Sequence, residues 1–138
     1  MPDFESIREG VLGYLSGQPE ADVCAQVLSD LEKRARENLM MLTYHSFTKS
    51  TDLSAVDPLL VKALNFFVTS PRFHLLEQRF LMVDDQNEFG VEIPNKEVAK
   101  AYKTGALTLP DGTEVEDIDA HLLPYFTASA QLLAMKAR

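Results

Sequence analysis

Val56-Asp57-Pro58-Leu59-Leu60-Val61-Lys62-Ala63-Leu64-Asn65-Phe66-Phe67-Val68 is the most apolar stretch of the chain, and its reading decides where the core lies. Asp57 suits a helix cap, and Pro58 suits the first helical position, where a missing N–H costs nothing. Leu59, Leu60, Ala63, Leu64, Phe67 and Val68 recur at helical spacing, with Val61 and Phe66 on other sides. Only Lys62 and Asn65 mark a strip that reaches water. A helix apolar almost all round is a core helix, and this one is too short for a membrane span of about 20 residues.

Upstream, Asp3 caps a helix expected over Phe4–Leu15, with Ile7, Val11, Tyr14 and Leu15 as its apolar stripe. Ser16 to Pro19 form a turn. The next helix is expected to run from Glu20 to Tyr44. Cys24, Leu28, Leu31, Ala35, Asn38 and Leu42 fall on it at alternating steps of four and three, the pattern of a bundle or short coiled coil. A helix of about 25 residues extends about 37 Å, so one end projects from the core or meets another chain. This predicts a homodimer through Leu31, Asn38 and Leu42, with Met40, Met41 and Phe47 adding apolar surface. Ser46 to Ser54 is a polar loop rich in residues that bond their own backbone.

Downstream, Pro71 to Gln78 reads as a short helix. The period then switches to two near residue 79. Arg79–Asp84 and Glu88–Ile93 are expected to pair as a hairpin ended by Pro94. Asn95 caps a helix over Lys96–Lys103, and Gly105 stops it. Leu107–Leu109 and Thr113–Val115 form a second hairpin around Pro110-Asp111-Gly112. A C-terminal helix starts at Asp117 and is kinked or divided at Pro124. The fold class is therefore helix-dominated α+β: a helical N-terminal half around a buried central helix, two small antiparallel hairpins and a C-terminal helix. The length of 138 residues, with 46% apolar residues and no visible linker, suits one domain.

Composition narrows the function classes. The formal net charge is −8, from 21 acidic and 13 basic residues, which opposes broad nucleic-acid binding. Cys24 is the only cysteine, so internal disulfides and cysteine-rich zinc sites are out, and a reducing compartment fits. The opening residues show no basic segment followed by an apolar run, so no signal peptide is expected. With no membrane span visible, a cytoplasmic location is expected.

Chemistry-bearing motifs are sparse. His45, His74 and His121 are far apart, although His74 and Glu77 lie one helical turn apart if that segment is helical. Asp85, Asn87 and Gly90 imitate half a calcium loop, but Phe89 and Lys96 stand where oxygen ligands are needed. No phosphate loop or nucleophile elbow is present, and no cofactor is implied. Glu114, Glu116, Asp117 and Asp119 form the densest acidic run and are the candidate contact with a protein partner. The expected function is a non-catalytic cytoplasmic interaction or regulatory protein with an acidic surface. Two alternatives stay open. Three helices followed by a hairpin is the order of a winged-helix nucleic-acid binder, with Lys33, Arg34, Arg36 and Lys62 as its contacts. An enzyme or metal-binding protein with dispersed site residues is the other.

Overall fold

Asp3 lies in extended conformation, and its carboxylate accepts a hydrogen bond from the Ser6 N–H at 2.8 Å, starting α1 (Phe4–Tyr14). A computed structural model describes residues 3–83, 90–108, 112 and 114–137. It is helix-dominated α+β, in two compact units: Met1–Glu77 with Phe126–Arg138, and Gln78–Tyr125.

The first unit packs α1, α2 (Ala21–Lys33), α3 (Thr48–Thr51) and α4 (Pro58–Thr69) with α7 (Ala130–Lys136). The apolar stretch from Val56 to Val68 forms α4 from Pro58 onward, capped by Asp57, whose carboxylate accepts from the Leu59 N–H at 2.9 Å. Leu60, Ala63, Leu64 and Phe67 are fully buried in the main core. The helix is more one-sided than its composition implies: Val61 stands beside Lys62 and Asn65 on the exposed side, while Leu59, Phe66 and Val68 are only partly buried.

The long helix expected over Glu20–Tyr44 is half that length. α2 ends at Lys33, and Arg34 and Ala35 are extended. Tertiary partners take the groups the next turn would have used. The Lys136 ammonium donates to the carbonyls of Leu31 and Glu32 at 3.3 and 2.6 Å. Arg34 pairs with Asp30 and donates to the Ser46 carbonyl at 2.7 Å. A 3-10 turn, Arg36–Leu39, follows, and Leu42 then forms an isolated bridge with Phe126 through hydrogen bonds of 2.8 and 2.7 Å. The loop expected after Ser46 holds a second 3-10 turn, Tyr44–Phe47, and α3, with Phe47 fully buried.

Pro71 to Gln78 is not a helix. The Leu75 N–H donates to the Phe67 carbonyl at 3.1 Å and its carbonyl accepts from Ser129 N–H at 3.0 Å, so nothing is left for a helical ladder. Strand β1 (Leu76–Met82) begins there instead. It pairs antiparallel with β2 (Val91–Ile93), the partner expected in the first hairpin, in the register Phe80↔Ile93 and Met82↔Val91; the turn lies outside the described residues.

In the second unit α5 (Asn95–Thr104) ends at Gly105, whose φ of +85° is the left-handed conformation that glycine adopts freely. The side chain of Asn95 does not cap this helix; it donates to the Gln78 carbonyl at 2.8 Å. β3 (Leu107–Thr108) pairs antiparallel with β4 (Glu114–Val115), the second expected hairpin, with most of its turn outside the described residues. Met82, Ile93, Val98, Ala101, Leu107 and Ile118 form this unit's own core.

The C-terminal helix expected from Asp117, kinked or divided at Pro124, is instead a short helix, a strand and a second helix. These are α6 (Ile118–His121), β5 (Leu122–Ala128) and α7. The sheet order is β2-β1-β5, so Pro124 sits on a terminal strand, where a residue without an N–H is tolerated. Ser129 then opens α7: its hydroxyl accepts from the Leu132 N–H at 3.2 Å and donates to the His74 carbonyl at 2.7 Å.

Candidate functional site

α2 turns Cys24, Leu28 and Leu31 into the core. Gln26, Ser29, Asp30 and Lys33 consequently stand on its outer side, at the spacing of one helix face. α1 brings Arg8 to this face and α3 brings Ser50, and together with Ala25 and Arg34 they line an open groove of about 540 Å³. The Arg8 guanidinium donates to the Ser29 hydroxyl oxygen at 3.3 Å and to the Glu32 carboxylate at 3.0 Å. Arg34 is held by Asp30 and the Ser46 carbonyl, and its guanidinium lies 5.7 Å from the centre of the Phe47 ring. Lys33 makes no side-chain hydrogen bond or ion pair among the described residues.

The four cations named for a nucleic-acid surface are thus divided. Lys33 and Arg34 share the groove. Arg36 is exposed on the 3-10 turn after α2. Lys62, on α4, lies 3.6 Å from the carboxylate of Glu20, which is only 6% exposed and whose Oε2 has no hydrogen bond. Burial, and secondarily the charge of Glu20, pushes the Cys24 thiol up to about 12, which makes it an inert core group rather than a nucleophile.

The residues of the expected dimer seam do not share a helix. Leu31 and Leu42 are buried in their own unit's core, and Asn38 is exposed on the 3-10 turn. The break at Arg34 therefore leaves no continuous helical seam for that dimer contact.

In the second unit Glu114, Glu116, Asp117 and Asp119 are all exposed along β4 and the start of α6. The Tyr102 hydroxyl donates to the Asp119 carboxylate at 2.6 Å, a bond that raises the tyrosine pKa above its ordinary value. Glu114 also lines a smaller groove of about 360 Å³ with Glu97, Lys100, Thr104 and Thr108. Gln78–Tyr125 contains ten acidic residues and four basic ones, so it carries −6 of the chain's −8.

The chain matches no protein-family model, no curated protein and no solved structure.

Two of the three histidines lie against backbone carbonyls, and His45 is exposed on the 3-10 turn Tyr44–Phe47. His74 Nδ1 lies 2.8 Å from the Val68 carbonyl and its Nε2 3.9 Å from Glu77, just before and within β1 rather than on the helix expected there. His121 Nδ1 lies 3.3 Å from the Val83 carbonyl. No group of three histidine, cysteine or carboxylate side chains able to hold a metal occurs among the described residues. No helix among them is long and apolar enough to cross a membrane.

Of the polar groove residues, Arg8, Gln26, Ser29, Asp30 and Ser50 are not among the candidates that the sequence singles out. The recurrence of polar residues at 26, 29, 30 and 33 is a visible signal for one exposed α2 face. The approach of Arg8 and Ser50 is tertiary and leaves no local mark.

Proposed function

We propose that this is a non-catalytic, cytoplasmic interaction or regulatory protein whose acidic unit meets a basic surface on a protein partner. The observation that carries the reading is the segregation of charge: Gln78–Tyr125 holds −6 of the formal −8, with Glu114, Glu116, Asp117 and Asp119 exposed in it. Exposed carboxylates of one sign speed encounter with a basic partner, and ionic strength weakens that steering. The cytoplasmic location is supported by cysteine usage, a single buried thiol with no partner for an internal disulfide.

The test is affinity capture from the native host at low and high salt. The native chain is compared with one carrying Glu114→Gln, Glu116→Gln, Asp117→Asn and Asp119→Asn. The expected result is a protein held at low salt, released at high salt and lost by the variant. Equal recovery by both chains overturns the reading. Nucleic acid recovered by both would favour the alternative through Lys33 and Arg34.

A further inference from the structure

The groove on the outer face of α2 belongs to the other unit and calls for a different kind of ligand. We infer that it binds a phosphomonoester, with Lys33, Arg8 and Arg34 as the cations and Ser29 as a hydroxyl donor. Both arginines already have partners in the fold. Arg8 is held by Glu32 and the Ser29 oxygen, and Arg34 by Asp30 and the Ser46 carbonyl. A guanidinium held in this way loses little freedom when an anion joins it, and its fork geometry matches phosphate oxygens. Because Ser29 Oγ accepts from Arg8, its own proton remains for a ligand oxygen. Lys33 lies one helical turn beyond Ser29 on the same face, with no partner among the described residues.

Two observations set the ligand class. The groove measures about 540 Å³, within the usual range of small-molecule sites. Its two arginines already answer to Glu32 and Asp30, so a singly charged carboxylate offers them little that they lack. A phosphomonoester carries between −1.5 and −2 at neutral pH, roughly, and three strong acceptor oxygens. That charge and that donor geometry let it compete.

Titration of the full chain followed by amide NMR tests the inference, with O-phosphoserine, O-sulfoserine and a phosphoserine peptide as probes. The expected result is saturable shifts within residues 25–34, with O-sulfoserine about tenfold weaker because it carries one charge less. Lys33→Gln, an exposed change that leaves thermal stability intact, weakens O-phosphoserine binding by about tenfold. Arg36→Gln, outside the groove, leaves it unchanged. A phosphopeptide that binds more tightly than O-phosphoserine identifies a phosphorylated protein segment as the source, and equal affinities identify a free metabolite. No saturable shift up to about 10 mM probe, equal binding of the sulfo and phospho compounds, or binding unaffected by Lys33→Gln overturns the inference.

Discussion

Leu64→Ala and Val61→Ala probe the same helix from opposite sides, and their contrast tests whether α4 centres the core. Leu64 is 0% exposed, whereas Val61 is 38% exposed. Leu64→Ala removes three carbons, a transfer loss of about 2.4 kcal/mol at about 0.8 kcal/mol per buried methylene. The cavity left behind brings the expected total to about 2–5 kcal/mol. Val61→Ala removes two carbons that are partly wet already, and the better helix propensity of alanine returns about 0.5 kcal/mol. Its net cost is expected to stay within about 0.5 kcal/mol. Urea unfolding followed by far-ultraviolet circular dichroism measures both, with an unchanged m-value confirming that stability alone has moved. A Leu64→Ala loss below about 1 kcal/mol, or equal losses for the two variants, would refute the placement of this core.

Three further outcomes are expected. Lys136→Met keeps the stem but frees the carbonyls of Leu31 and Glu32, and should lower stability by about 1–2 kcal/mol in the same assay; an unchanged midpoint would show that Lys136 does not fix the end of α2. Ser129→Ala removes the α7 cap and the bond to the His74 carbonyl, for a loss of about 1–2 kcal/mol measured by thermal unfolding. Cys24 should resist a thiol reagent at pH 8 until the chain unfolds. Its raised pKa also fixes a sign: the thiol's contribution to stability is intact below 9.0, its ordinary value. It declines as pH rises toward about 12, because the unfolded chain ionises first. Cys24→Ser should flatten that alkaline decline, and an unchanged slope would count against it.

What was legible in the sequence was local. Asp3, Asp57 with Pro58, and Gly105 mark the ends of α1, α4 and α5 through bonds and backbone angles within a few residues. The alternation at Phe89, Val91 and Ile93 pointed to β2, and two short hairpins were expected where β1–β2 and β3–β4 pair. What was hidden was decided far along the chain. Nothing in Ala35-Arg36-Glu37-Asn38 forbids helix. The break comes from Lys136, Ser46 and Phe126, the first and last roughly 90 to 100 residues away. Leu75 and Leu76 have helix-forming side chains, but their segment is claimed by Phe67 and Ser129. Of the groove, one helix face was readable; the arrival of Arg8 and Ser50 was not.

The first unit is written in two instalments. Its path leaves after Glu77 and resumes at Phe126, and the core then receives Phe126, Leu132 and Met135. On a ribosome adding about 5–20 residues per second, roughly 2–10 s separate the two instalments. Phe47 and Leu31, both fully buried in the finished core, must wait through that interval without their last neighbours. Closing so long a gap costs little more than closing a short one, since loop entropy grows only logarithmically. The penalty is therefore in time rather than in final stability: a nascent chain paused before residue 126 displays a sticky, unfinished core to every chaperone and protease within reach.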